Sequence, residues 1–136
     1  MPSITGIAHV ELSVRDLDAS EAWYAAVLGW RRIHDGRDDE RGLADRVLFD
    51  PKSGVVLAFT QHKANPGEPF LASRTGLDHL AFAVADRDEL RAWERRLVEL
   101  KVDHTAVEKR PGGAALTAHD SDGIAIEFYV RDSAEL

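Results

Sequence analysis

The sequence contains no cysteine among its 136 residues. Disulfide bridges, thiolate zinc sites and cysteine nucleophiles are therefore excluded, and any metal must bind imidazole, carboxylate or backbone oxygen. Long apolar runs are also absent, since no uninterrupted apolar segment approaches the roughly 20 residues that span a bilayer. The N-terminus lacks a basic stretch followed by an apolar run, so the expected location is the cytoplasm.

Positive charge is scarce, because 17 Lys and Arg residues face 24 Asp and Glu residues and the formal net charge is -7. This negative field repels phosphate backbones and anionic lipid surfaces, so nucleic acid and membrane are not expected to be partners. Apolar residues make up 44% and charged residues 30% of the chain. Such a composition is typical of a globular protein, and we expect one domain over residues 1–136.

An internal repeat organises the chain. The segment at residues 8–14, AHVELSV, is matched 70 residues further on by the segment at residues 78–84, DHLAFAV. Both alternate apolar and other residues with the period of two that indicates a half-buried strand. His9 and His79 occupy the same position of the repeat, on the face opposite the apolar side chains.

Each repeated strand is followed by an acidic entry and a helical pattern, at residues 19–28 and 89–101, with Trp23 and Trp93 as core anchors. Three further strands are expected in each half, at about residues 31–34, 46–49, 55–61, 104–109, 114–118 and 124–130. The charged stretch 35–45 is interpreted as a mobile loop. The predicted fold is α+β: two tandem βαβββ modules, at about residues 4–62 and 75–131 with a linker at 63–74, form an open barrel-like cup with the helices outside.

Three potential metal ligands are expected on the inner surface of this cup. Because the apolar strand faces must meet the helices, His9, His79 and Glu127 point the other way. A carboxylate buried without a partner would cost several kcal/mol, and a divalent cation is an efficient partner. The alternative is that one histidine is a hydrogen-bonded core residue and that Glu127 pairs with an arginine.

The motifs taken together resemble the vicinal oxygen chelate superfamily, which includes glyoxalases, bleomycin resistance proteins and extradiol dioxygenases. The resemblance covers about residues 4–130 and depends on the segments 9–18, 23–24, 28–30, 78–84 and 120–128. It implies a metal bound by His9, His79 and Glu127 and an assembly as a homodimer. The fourth ligand position of the lyases falls on Ala58, which cannot bind a metal, so the pattern is similar to the three-ligand extradiol dioxygenases and fosfomycin transferases.

Two imidazoles and one carboxylate suit Fe(II) or Mn(II), with Zn(II) or Ni(II) as alternatives. Glu11 lies two residues beyond His9 on the same face and is a candidate general base. Tyr129, two residues beyond Glu127, is a candidate for orienting a substrate oxygen. An extradiol dioxygenase would also need an acid/base histidine, which the sequence does not select among His34, His62, His104 and His119.

We therefore expect a metal-dependent enzyme that acts on a small oxygenated molecule, in an extradiol-dioxygenase-like or lactoylglutathione-lyase-like reaction. The fosfomycin interpretation fits less well, because the carboxylate of Glu11 would repel an anionic phosphonate. The alternative from another class is a metal-free protein of the same fold that binds a small molecule of antibiotic type. Metal content separates the two hypotheses.

Overall fold

The computed structural model describes residues 1–132, and the chain divides into two compact units, Met1–Glu68 and Pro69–Leu136. We call these units module 1 and module 2. The elements of module 1 are β1 (Val10–Ser13), α1 (Leu17–Leu28), β2 (Arg31–Asp38), β3 (Leu43–Phe49) and β4 (Val56–His62). Those of module 2 are β5 (Leu80–Ala83), α2 (Arg87–Glu99), β6 (Glu108–Arg110), β7 (Gly113–His119) and β8 (Ala125–Arg131).

Each module contains one four-stranded sheet. The strand orders are β1-β4-β3-β2 and β5-β8-β7-β6, so the first strand of each module pairs in parallel with the last one. The other neighbours are antiparallel. The prediction of an α+β fold with two tandem βαβββ modules is confirmed.

The helices pack on one face of each sheet. Helix α1 contacts β3 and β4, and α2 contacts β7 and β8. Trp93 stacks on Phe128 with ring centroids 4.2 Å apart, as expected for an anchor of α2. In α1, however, Tyr24 is fully buried and packs on Phe59, whereas Trp23 is only half-buried. The anchor of α1 is therefore Tyr24, because the buried face of this helix runs through Leu17, Ser20, Tyr24 and Val27.

Equivalent turns precede the last strand of each module. Asp50 accepts hydrogen bonds from the backbone N–H groups of Lys52 and Ser53, and from the hydroxyl of Ser53. Asp120 likewise accepts hydrogen bonds from two backbone N–H groups in its own turn, those of Asp122 and Ile124. These turns lead into β4 and β8, the strands that pair in parallel with β1 and β5. Glu11, Glu127 and Tyr129 lie on these strand pairs, and His9 and His79 lie directly before β1 and β5.

The prediction of a mobile loop at residues 35–45 is wrong. Strand β2 continues to Asp38 and β3 begins at Leu43, so most of the segment forms an antiparallel ladder. The charges that suggested a loop lie opposite one another, with Asp35 in register with Arg46 and their side chains 3.5 Å apart. Cross-strand pairs of opposite charge stabilise such a ladder.

One predicted strand is shorter than expected. In the segment 104–109 the regular strand, β6, begins only at Glu108, and His104 makes an isolated bridge to Ala118. Within the described residues 1–132, none of the helices has both the length and the apolar character that crossing a membrane requires.

Candidate functional site

Module 2 contains a pocket of about 400 Å³ on the sheet face opposite α2. Alternation along β5 and β8 directs Phe82 and Phe128 toward helix α2. The residues directly before and after each of them in its strand face the pocket instead. We call this the module-2 pocket. Its lining consists of His79, Ala81, Ala83, Arg110, Pro111, Glu127, Tyr129 and Arg131.

His79 is oriented by its neighbour in sequence. Its Nδ1 lies 2.7 Å from Oδ1 of Asp78. When Nδ1–H donates to this carboxylate, Nε2 carries no proton and its lone pair faces the pocket. This tautomer is the one that binds a metal through Nε2. The Nε2 atom lies 3.7 Å from Oε1 of Glu127. Asp78 is therefore a functional candidate that the sequence interpretation missed, although the carboxylate directly before His79 was a usable signal.

Glu127 is nearly buried, with 10% of its side chain exposed. It lies in register with Ala81 of β5 and Thr117 of β7. Its Oε2 is 3.5 Å from Nη2 of Arg110, so the alternative of an arginine partner applies in part. Both contacts of the carboxylate are longer than a normal hydrogen bond. Its oxygens therefore retain lone pairs that a cation can use.

Arg110 has a second carboxylate partner. Its Nη1 donates to Oε2 of Glu108 over 2.8 Å. The pKa of Arg110 is raised, chiefly by this hydrogen bond and further by the charge of Glu127. The guanidinium is thus held between two carboxylates at the end of β6. The sequence contains no signal for this placement, because it depends on how the β6–β7 hairpin meets β8.

Tyr129 lies on the pocket wall, and its hydroxyl donates to the carbonyl of Pro111 over 2.7 Å. The hydroxyl oxygen can still accept a hydrogen bond, but its proton is engaged by the hairpin. In the predicted role of orienting a substrate oxygen, Tyr129 would therefore accept a hydrogen bond from a substrate hydroxyl and would not donate one.

Module 1 contains a pocket of about 500 Å³, which we call the module-1 pocket. Glu11 faces it and accepts a hydrogen bond from the hydroxyl of Thr60 over 2.5 Å. In register, Glu11 lies beside Ala58, whereas in module 2 the corresponding pair is Ala81 and Glu127. Each module therefore has one carboxylate at the equivalent place, on its first strand in module 1 and on its last strand in module 2.

The structure also distinguishes among the four remaining histidines. His62, at the end of β4, lines the module-1 pocket together with Glu11. His104 contacts the carbonyl of Val102 and His119 contacts Asp103, and these residues line neither pocket. His34 does not line a pocket itself, but its partner Asp45 lines the module-1 pocket. His62 is therefore the acid/base candidate that the sequence did not select.

His9 is exposed and lies directly before β1, in module 1. Over residues 1–132, neither module alone brings three His, Asp or Glu side chains together in a group that could hold a metal ion. The structure brings His79 and Glu127 together, and the convergence of His9 with them stays a prediction.

Comparison with known proteins identifies the family of this chain. Residues 6–128 match the family model of the glyoxalase/bleomycin resistance protein/dioxygenase superfamily. The chain is 30% identical over 132 residues to a catechol-2,3-dioxygenase of Bacillus subtilis, a match that covers 92% of this chain and 41% of that protein. The chain thus spans less than half the length of this relative.

Solved structures show the same fold. A glyoxylase/bleomycin resistance protein/dioxygenase domain from Frankia sp. EAN1pec is 33% identical, with a TM-score of 0.85 over 95% of this chain and 99% of that one. The fosfomycin resistance protein FosX of Listeria monocytogenes, in complex with Mn(II) and sulfate, is 19% identical, with a TM-score of 0.67 over 94% of this chain and 93% of that one. The chain belongs to the glyoxalase/bleomycin resistance protein/dioxygenase superfamily.

Proposed function

We propose that this chain is a metal-dependent enzyme that binds a divalent ion through His9, His79 and Glu127 and acts on a small oxygenated molecule. The observation that favours this function most is the sequence of contacts from Asp78 through His79 to Glu127. An imidazole oriented by a carboxylate, with its second nitrogen facing a nearly buried glutamate, is a typical environment of metal ligands.

The donor set fits such an ion. Two neutral imidazoles and one carboxylate leave a divalent cation with one net positive charge and open coordination positions, which favours Fe(II) or Mn(II) and allows Zn(II) or Ni(II). The presence of Mn(II) in the Listeria FosX complex supports the same choice. When bound, the ion would supply Lewis acidity to the oxygens of the substrate.

The chain itself supplies groups for proton transfer. Glu11 is the proposed general base, and the hydrogen bond from Thr60 holds its carboxylate in the module-1 pocket. His62 lines the same pocket and is the proposed partner for a second proton. Tyr129 is proposed to accept a hydrogen bond from a substrate hydroxyl.

A dioxygenase-like reaction is our first choice, because the curated relative is a catechol-2,3-dioxygenase. A lyase-like reaction on a hydroxylated carbonyl compound is the second. We further propose that the two modules act as one glyoxalase-like domain and that the protein is a homodimer. The masses measured by light scattering at low and high protein concentration would test the assembly, and a concentration-independent monomer would contradict it.

The runner-up is a metal-free protein that binds a small molecule. The ion pair of Glu127 with Arg110 supports it, because the guanidinium neutralises the carboxylate without a metal. Under this hypothesis, the module-2 pocket would bind its ligand through hydrogen bonds and apolar contacts alone.

Metal content tests the main proposal. Protein purified without chelator and supplied with Fe(II), Mn(II) or Zn(II) should contain close to one ion per chain, whereas His79→Ala and Glu127→Ala should lose most of it. His119→Ala is the matched control, because His119 and its partner Asp103 line neither pocket. Glu11→Gln should keep the metal and lose turnover.

Two results would contradict the proposal. If His79→Ala retains the wild-type metal content and the same metal-dependent rise in melting temperature, the metal site lies elsewhere. If the wild type binds none of the three ions, the metal-free alternative is favoured.

A further inference from the structure

Glu127 has two competing partners in this structure, which bears on the affinity of the proposed metal site. The carboxylate is nearly buried, so it must be neutralised whether or not a metal is bound. Arg110 reaches one of its oxygens at 3.5 Å, and His79 reaches the other at 3.7 Å. The arginine therefore occupies the side of the carboxylate that the imidazole does not.

We propose that Arg110 competes with the divalent cation for Glu127 and thereby sets the metal affinity of the site. This inference rests on the proposed role of Glu127 as a ligand. It adds a residue that does not bind the metal but determines how tightly the metal is held.

Electrostatic repulsion is the first reason for this competition. A guanidinium in contact with Glu127 is within a few ångströms of any cation on the same carboxylate, and it repels that cation through a partly desolvated environment. With 30% of its side chain exposed, Arg110 is only partly screened by water. A metal must either accept this repulsion or displace the guanidinium.

Glu108 is the second reason, because it remains an ion-pair partner for the guanidinium after a metal displaces it from Glu127. Arg110 already donates to Glu108 at 2.8 Å, a shorter contact than the one to Glu127. Loss of the Glu127 contact therefore leaves the arginine paired rather than buried without a partner. A metal ion can thus replace the guanidinium of Arg110 at Glu127 without leaving a charged side chain unpaired.

The test compares three variants with the wild type after treatment with chelator and dialysis. Arg110→Gln removes the charge, Arg110→Lys keeps it, and Arg95→Gln removes one positive charge from the exposed side of α2 as a control for net charge. The probe is Mn(II), with its dissociation constant measured by isothermal titration calorimetry. The melting temperature of the metal-free protein is the second readout.

Arg110→Gln should bind Mn(II) about tenfold more tightly than the wild type, whereas the other two variants should stay within about threefold. The metal-free form of Arg110→Gln should also melt at a lower temperature, because Glu127 has lost its counter-ion. This second effect should disappear in a Glu127→Gln background.

Equal or weaker Mn(II) binding by Arg110→Gln would overturn the competition while leaving the metal site intact. Tighter binding by Arg95→Gln to the same extent would also overturn it, because net charge alone would then explain the gain. If the wild type and all variants bind none of Mn(II), Fe(II) and Zn(II) in the same assay, the proposed function is contradicted, and the competition with it.

Discussion

Gly113 offers a sharp test of the β7–β8 pairing that positions Glu127. It is the first residue of β7 and lies in register with Arg131. A Cβ added to Gly113 would lie 1.9 Å from the carbonyl oxygen of Val130 and 3.0 Å from its carbonyl carbon. Both obstacles are backbone atoms, so no change of rotamer can relieve the contact. Gly113→Ala therefore requires the two strands to separate locally by roughly 1 Å.

The cost follows from the two interactions that this separation affects. Overpacking of a tight interior typically costs about 1–3 kcal/mol. A weakened ladder hydrogen bond adds about 1 kcal/mol. We expect Gly113→Ala to lower the free energy of unfolding by about 2–4 kcal/mol, and the melting temperature by roughly 10 °C.

Gly36→Ala is the matched control. Its added Cβ would lie 2.6 Å from Oδ1 of Asp45 and from Nε2 of His34, which are the ends of two flexible side chains. Both side chains can move aside, so the expected loss is below about 1 kcal/mol. Urea unfolding followed by tryptophan fluorescence measures both variants. A Gly113→Ala protein as stable as Gly36→Ala would refute the close approach of β7 to β8.

Three further expectations concern stability. Trp93→Ala should cost roughly 2–4 kcal/mol in urea unfolding, because the half-buried indole stacks on Phe128 at 4.2 Å, and a loss below 1 kcal/mol would contradict this packing. Asp16→Ala should cost about 1 kcal/mol, because its carboxylate accepts two backbone N–H groups at the start of α1, and Asp16→Asn should retain most of that stability. The hydrogen bond from Ser53 holds the pKa of Asp50 below its ordinary value of 3.8, so Asp50 stabilises the folded state above that pH and loses this contribution as the pH falls through the lowered value. The difference in free energy of unfolding between Asp50→Asn and the wild type should therefore become smaller below about pH 4. A difference that stays constant across that pH range would count against the hydrogen bond.

Strand alternation made much of the fold predictable. The pattern of β1 and β5 depends on neighbouring residues only, and a period of two assigns each side chain to a face without any knowledge of the partner strand. The repeat then predicted two βαβββ modules. For the same reason, the sequence placed Glu127 and Tyr129 on a common face of β8, and both line the module-2 pocket.

Local patterns were insufficient where the outcome depends on the phase of a helix or on a partner strand. Helix α1 starts at Leu17, earlier than predicted, and its buried face passes through Tyr24 instead of Trp23. The segment 35–45 is polar, and only its pairing across β2 and β3 makes it a ladder. Charge alone does not distinguish a solvated loop from a hairpin whose charges are paired.

The candidate site was likewise predictable from the sequence only in part. Residue type and strand period were sufficient to propose His79 and Glu127 as ligands, because both properties are local. Three features required the tertiary structure: the contact of Arg110 with Glu127, the presence of His62 and Glu11 in one pocket, and the orientation of Nε2 of His79 toward Glu127. These features arise from strands and turns distant in sequence, and the distances between their side chains are determined by sheet register and packing rather than by local sequence.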